Sequence, residues 1–281
     1  AVNFIYPYAR LKAANVDGTR EVLRLASTAA TKPVHFISTL AVYAPEDYLS
    51  RPLRESDPPD NHAGIAHGYE QSKWVADRML RTAQERGLPV TIYRPARITG
   101  DSASGASNLD DFMVRLVAGC AQLGKAPAVM DAMDMLPVDY LSAAIVRFSL
   151  LAEAPGRSLH FFNEPAIPFG QVLDWLAERG YPLERAPFAE WRAELTARAQ
   201  AGADNALAPL APLFWLQPFD GRPPLFDSSA TFDALRRLGM PPPAANEALF
   251  ARYLAFLRRA GLLPQMGQRR PGPSSDGQSD G

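Results

Sequence analysis

The first half of the chain alternates between short apolar runs and longer amphipathic segments. The apolar runs at residues 34–39 and 90–94 are short and rich in β-branched residues, which is typical of buried parallel strands. The segments at residues 8–30 and 67–86 repeat apolar residues at helical spacing, and Gly87 supplies a stop for the second one. This order of elements predicts a parallel α/β sheet with right-handed crossovers.

Other segments extend this sheet. Residues 1–4 are predicted to form the end of a strand, and residues 158–162 a further strand. Residues 44–66 contain Pro45, Pro52, Pro58, Pro59 and several acids, so a loop is expected there. Two more helices are predicted, at residues 109–123 and from about residue 138 to residue 152.

The second half of the chain differs in composition from the first, because proline is frequent beyond residue 125. Residues 168–264 are predicted to be mainly helical, with proline-rich joints, and to cover the carboxyl ends of the strands. The expected division is a partial Rossmann-like domain at 1–100, completed by about 138–165. A substrate-binding cap region is expected at 101–137 and 166–265, and a disordered tail at 266–281.

Composition narrows the class of protein. The chain has 281 residues, of which 47% are hydrophobic and 21% charged, as is usual for a soluble globular enzyme. Its formal net charge of −1 gives no indication of nucleic-acid binding, and no apolar run is long enough to predict a membrane span. A single cysteine, Cys120, allows no internal disulfide and suits a reducing, cytoplasmic location. No motif predicts a metal site.

The pair Tyr69 and Lys73 carries the clearest chemical signal. Residues four apart share one helix face, so the Lys73 ammonium is expected near the Tyr69 hydroxyl and is predicted to lower its pKa. A tyrosine tuned in this way exchanges protons with a carbonyl oxygen, which favours carbonyl reduction by hydride transfer. A second pair with the same spacing, Tyr8 and Lys12, has no hydroxyl-bearing strand before it and is interpreted as structural.

Other candidate residues fall at the same edge of the predicted sheet. Ser38, Thr39, Pro95 and Ile98 all follow the carboxyl ends of strands, where open α/β sheets bind their ligands. Ser38 is interpreted as a structural neighbour of Thr39.

Six motifs follow one another along the first part of the chain: Val2-Asn3-Phe4-Ile5-Tyr6-Pro7-Tyr8, Ala13-Ala14-Asn15-Val16-Asp17-Gly18-Thr19, Ser38-Thr39-Leu40-Ala41-Val42-Tyr43, Gly68-Tyr69 with Ser72-Lys73-Trp74, Tyr93-Arg94-Pro95-Ala96-Arg97-Ile98-Thr99-Gly100 and Pro137-Val138-Asp139-Tyr140. In these motifs the chain resembles the thioester reductase family, the terminal reductase domains of nonribosomal peptide synthetases and carboxylic acid reductases, within the extended short-chain dehydrogenase/reductase superfamily. The assignment to the thioester branch rests mainly on the Asn-Phe-Ile-Tyr-Pro-Tyr opening and on the Gly-Tyr-x-x-Ser-Lys-Trp form. Beyond residue 165 the resemblance is thin.

The resemblance implies roles for these residues. Thr39 would hydrogen-bond the substrate carbonyl, Tyr69 would donate the proton, and Lys73 would hold the nicotinamide ribose. Pro95 and Ile98 would flank the nicotinamide. Asn3 would lie near the cofactor.

The resemblance also implies a reaction and its participants. NADPH, with NADH not excluded, would reduce an acyl or peptidyl thioester to an aldehyde and in a second round to an alcohol. The acyl group would arrive on a phosphopantetheinylated carrier protein, the implied partner.

The expected glycine-rich phosphate loop is not in this sequence. Because the chain opens Ala-Val-Asn, within the strand predicted at residues 1–4, a fragment lacking the first strands is expected. Two alternatives remain open: a non-catalytic remnant or interaction module of the same fold, and a nucleotide-sugar epimerase or dehydratase of the extended superfamily.

Overall fold

The computed structural model describes residues 1–151, 156–216 and 224–264. Helices and strands alternate in the first half, and helices dominate the second. The strands are β1 (Val34–Ile37), β2 (Val90–Pro95), β3 (Ile98–Thr99), β4 (Lys125–Pro127), β5 (Leu136–Pro137), β6 (Ser158–Phe161) and β7 (Glu184–Ala186). The helices are α1 (Tyr8–Lys12), α2 (Gly18–Ser27), α3 (Pro45–Ser50), α4 (Gly68–Glu85), α5 (Phe112–Leu123), α6 (Val138–Ser149), α7 (Phe169–Glu178), α8 (Phe188–Gln200), α9 (Leu213–Leu216), α10 (Ser229–Arg237) and α11 (Glu247–Arg259).

The main sheet has three parallel strands in the order β1, β2, β6. Each connection between them passes through at least one helix, as parallel strands require. The central strand β2 is buried along its whole length. The predicted α/β class with a Rossmann-like parallel sheet is therefore confirmed.

Helices cover both faces of the sheet. Because alternate residues of β2 point to opposite sides, each face of this strand packs against a different set of helices. Val90 and Ile92 pack with residues of α2 and α4 on one face. Tyr93 packs with residues of α6 and α10 on the other face. These two apolar layers hold the carboxyl ends of the strands at one edge of the molecule.

A second core lies in the helical part of the chain. It joins α5, α7, α8 and α11 around Trp191, which is fully buried. A short parallel pair, β4 with β7, runs along this core. Sequence patterns did not predict this pair, because each strand has only three residues and the partners are far apart in the chain.

Two local predictions are wrong. Residues 1–4 do not form a strand; the Asn3 Oδ1 atom accepts hydrogen bonds from the backbone N–H groups of Ile5 and Tyr6, which turns the chain into α1. The expected loop at residues 44–66 contains the helix α3, which begins with proline at its first position and two acids in its first turn. The predicted disordered tail lies outside the described residues.

Membrane spans and metal clusters are both absent from the described ranges. None of the helices there combines the length and the apolar character needed to cross a bilayer. No group of three or more His, Cys, Asp or Glu residues in those ranges is arranged to hold a metal ion.

Candidate active site

A cavity of about 900 Å³ opens at the carboxyl ends of the parallel strands. Its wall combines the segment after β1, the start of α4, the β2–β3 connection and the start of α5. Most of the lining is apolar, and Thr39, Tyr69 and Ile98 all contribute to it. The cavity thus lies where ligands bind in open parallel sheets.

Thr39 is positioned by the end of β1. Its backbone is extended, and its Oγ1 atom accepts a hydrogen bond of 3.2 Å from the Ala41 N–H, which starts a 3-10 turn. The Thr39 hydroxyl also shares a hydrogen bond with the Tyr69 side chain. A strand end and a helix start therefore bring two hydroxyl groups together at the cavity wall.

Tyr69 lies in the first turn of α4. Its ring contacts the Phe4 ring edge to face, with the centroids 5.7 Å apart. Burial raises the pKa of Tyr69 to about 12, although the hydrogen bond with Thr39 acts in the opposite direction. The phenol consequently keeps its proton at neutral pH.

The predicted lowering of the Tyr69 pKa by Lys73 is wrong. The Lys73 ammonium donates a hydrogen bond of 2.6 Å to the Ile37 carbonyl and lies 4.3 Å from the centre of the Phe36 ring. Burial lowers the pKa of Lys73 to about 8, and the nearby Asp77 carboxylate opposes this shift. Burial of the Tyr69 phenol therefore raises its pKa, and the position of Lys73 four residues further along the helix does not lower it. The Lys73 side chain lies against β1, outside the cavity lining.

A buried ion pair supports this edge of the sheet. Asp77 accepts two hydrogen bonds from the Arg94 guanidinium, at 2.9 and 3.0 Å, and both residues are at most 1% exposed. Asp77 also accepts a hydrogen bond of 2.6 Å from the Ser38 hydroxyl. Ser38 is thus used for structure, and the network ties the end of β1 to the helix that carries Tyr69 and Lys73.

A second polar contact fixes the start of α4. Asn15, in the π-helical turn between α1 and α2, donates a hydrogen bond of 2.9 Å to the Ser72 hydroxyl. Ser72 in turn donates to the backbone carbonyl of Tyr69. The sequence motifs contain both residues, but their contact depends on the tertiary fold.

Of the other residues predicted to contact the cofactor, only some line the cavity. Ile98 lines the cavity, whereas Pro95 ends β2 and lies outside the lining. Asn3 is outside the lining as well, because its side-chain oxygen caps the turn before α1. In the second Tyr-x-x-x-Lys pair, Lys12 is exposed and Tyr8 does not line the cavity.

Known proteins share this arrangement of elements. The NAD-binding family model described as male sterility protein matches residues 1–145. A linear gramicidin synthase of Brevibacillus parabrevis is 40% identical over 265 residues, covering 93% of this chain and 5% of that protein.

An isonitrile lipopeptide synthase of Streptomyces coeruleorubidus is 38% identical over 273 residues, covering 94% of this chain and 18% of that protein. The crystal structure of the terminal R domain from the myxalamid biosynthetic pathway matches with a TM-score of 0.85 and 38% identity. That match covers 95% of this chain and 68% of the solved chain.

The chain belongs to the thioester reductase family. The family match disfavours the alternative of a nucleotide-sugar epimerase. Relatives in the thioester reductase family are NAD(P)H-dependent reductases. The chain spans a small fraction of the two synthases, 5% and 18% of their lengths.

Gly68, the residue before Tyr69, marks a close approach between two stretches of backbone. A Cβ atom added at Gly68 would lie 2.3 Å from the Tyr8 nitrogen and 2.4 Å from the Tyr6 carbonyl oxygen. We expect Gly68→Ala to lower the free energy of unfolding by about 1–3 kcal/mol, because backbone cannot move aside as a side chain can. Chemical denaturation measures this change.

Gly18→Ala is the matched control, because an added Cβ there meets nothing closer than the Ala13 oxygen at 3.8 Å. Gly18 lies in α2 with helical backbone angles, so alanine should stabilise it by about 0.5–1 kcal/mol. Equal effects of the two substitutions would contradict the close approach at Gly68.

The hydroxyl of Thr39 is expected to contribute to turnover. Thr39→Val keeps the branched shape of the side chain but removes its hydrogen bonds with Tyr69 and Ala41. Turnover should then fall on the order of 100-fold, which is the usual effect of removing one hydrogen-bond donor to a developing oxyanion. Thr39→Ser retains the hydroxyl and should restore most of the rate. Steady-state kinetics of the full-length protein test this, and equal rates for the Val variant and the original would refute it.

Proposed function

We propose that the protein reduces an acyl or peptidyl thioester to an aldehyde with NADPH, the acyl group being presented by the phosphopantetheine arm of a carrier protein. The observation that carries this proposal is the convergence of the Thr39 and Tyr69 hydroxyls at the wall of a cavity at the sheet edge. Family membership supports the reaction class. Further reduction to an alcohol by the same site is compatible with this arrangement.

The donor set suits the nicotinamide end of a dinucleotide. Ile98 and Phe4 provide apolar wall for a flat ring, and the Tyr69 hydroxyl offers a polar partner beside them. Lys73 would hold the ribose if its ammonium exchanged the Ile37 carbonyl for ribose hydroxyls. The bound nicotinamide supplies the hydride.

The chain's own residues handle the charge that forms on the substrate oxygen. The Thr39 hydroxyl donates a hydrogen bond to this oxygen, and the Tyr69 phenol donates a second one. A pKa of about 12 keeps the Tyr69 phenol protonated across the physiological range, as a proton donor in the reducing direction must be. The raised pKa of Tyr69 is therefore compatible with reduction, although the prediction that Lys73 lowers this pKa was wrong.

The size and character of the cavity fit an acyl chain. Its volume of about 900 Å³ lies within the usual range for small-molecule sites. Its opening would admit a thioester on a long arm. A carrier protein is therefore the proposed partner, in agreement with relatives that are peptide synthases.

The proposal is tested by supplying the full-length protein with acyl thioesters on a carrier protein and following the oxidation of NADPH and NADH in parallel. We expect NADPH to be oxidised in proportion to the aldehyde or alcohol released, as identified by mass spectrometry. Release of the free carboxylic acid without cofactor oxidation would contradict the proposal, and preference for NADH would correct its cofactor.

A further inference from the structure

Five carboxyl side chains line the cavity that holds Thr39 and Tyr69. Two of them have evident structural partners: Asp134 pairs with Arg97, and Asp111 caps α5 through a hydrogen bond of 2.8 Å from the Met113 N–H. The five are Glu46, Glu70, Asp111, Asp131 and Asp134.

Glu70 differs from the others by its place beside the proton-donor tyrosine. It follows Tyr69 in the first turn of α4, and its charge raises the Tyr69 pKa, so the two groups lie within electrostatic range. Its carboxylate accepts a hydrogen bond from the His67 N–H, as a glutamate at the third helical position commonly does. A carboxyl group has two oxygens and about four acceptor positions, so this one bond leaves capacity on the cavity side.

Reduction of a thioester makes a demand that reduction of an aldehyde does not. After hydride addition the carbon–sulfur bond must break, and because an alkyl thiol has a pKa of about 8.5, the departing sulfur takes up a proton near neutral pH. Thr39 and Tyr69 are engaged at the oxygen atom. A separate acid at sulfur would deliver this proton as the bond breaks and so assist the departure of the thiol.

Resting on the proposed function, the geometry points to Glu70 as the general acid that protonates the departing thiol. The acyl carbon accepts a hydride from the reduced nicotinamide, and the carbonyl π electrons move to oxygen. When the C=O bond re-forms, the carbon–sulfur bond breaks and its electron pair takes the Glu70 proton. The products are an aldehyde and a free thiol, and the Glu70 carboxylate regains its proton from solvent.

The surroundings of Glu70 allow its carboxyl group to carry a proton near neutral pH. Burial raises the pKa of Glu70 to about 7, against the effect of the His67 N–H. The acid form is present below this pH and is lost above it, so a contribution from Glu70 declines as pH rises through neutrality. The other ionisable side chains that line the cavity come from α3, α4, the β2–β3 connection, and residues 111–134: Glu46, Tyr48, Tyr69, Arg97, Asp111, Asp131 and Asp134.

The test compares leaving groups in the full-length protein. Glu70→Gln keeps an acceptor for the His67 N–H but removes the proton. We expect the ratio of turnover on an alkyl thioester to turnover on the matching thiophenyl ester to fall about 100-fold, because the acidic aryl thiol leaves without help. Glu46→Gln removes another cavity carboxyl and should not change this ratio.

A second measurement reads the proton itself. Infrared difference titration of the original protein against Glu70→Gln should show one carboxyl group titrating near pH 7. A midpoint near the ordinary glutamate value of about 4.3 would overturn the assignment. An unchanged leaving-group ratio, or an equal loss on both esters, would overturn it while leaving the proposed function intact. A native protein inactive on every thioester would overturn both.

Discussion

Replacing Tyr69 with Phe is expected to lower the turnover of thioester reduction by at least ~100-fold and by as much as ~10⁴-fold, the range attributed to one positioned proton donor. The substitution removes the hydroxyl that is hydrogen-bonded to Thr39 and retains the ring that contacts Phe4. The cavity shape is therefore preserved while the acid is lost. Oxidation of NADPH by the full-length protein at saturating thioester measures the effect.

Tyr8→Phe is the matched control for this substitution. Tyr8 opens the other Tyr-x-x-x-Lys pair, and it does not line the cavity. Its variant should turn over at the original rate. Equal turnover of the Tyr69→Phe variant and the original protein would refute the assigned role of Tyr69.

The largest expected effect on stability comes from the buried ion pair. Asp77→Asn should lower the free energy of unfolding by about 3–5 kcal/mol, because it leaves the Arg94 guanidinium buried without an opposite charge. Arg94 is 1% exposed and Asp77 0% exposed, so water cannot take over the lost interaction. Chemical denaturation monitored by circular dichroism measures the change.

An exposed ion pair provides the comparison. Glu21 and Arg24 on α2 approach to 2.8 Å, with more than half of each side chain exposed. Glu21→Gln should therefore produce no resolvable loss of stability, since solvent screens such a pair. Losses of similar size at Asp77 and Glu21 would contradict the structural importance of the buried network.

The main sheet was predictable because its strands are short apolar runs between helices. β1 and β6 fall within the predicted segments, and β2 extends one residue beyond its segment, to Pro95. Gly87 ends its helix region with the positive φ expected of a stop. Residues 1–4 show the limit of such patterns. An apolar run forms a strand only where a partner strand is available, and here the Asn3 side chain stabilises a turn instead.

The site was predictable as a set of residue types but not in its electrostatics. Spacing placed Tyr69 and Lys73 on one helix, and strand order placed Thr39 beside them. The degree of burial, which decides the Tyr69 pKa, depends on the tertiary fold and cannot be inferred from spacing. The same applies to Glu70, which the sequence gives as one more acid near a helix start.

The most direct test of the central claim follows the hydride. The full-length protein is supplied with a carrier-bound thioester and NADPH that carries deuterium at the transferable position of its nicotinamide, and the product is examined by mass spectrometry. We expect an aldehyde with one deuterium on the former thioester carbon, and loss of this product in the Tyr69→Phe variant. Release of an undeuterated product, or equal deuterium transfer by the variant, would contradict the claim.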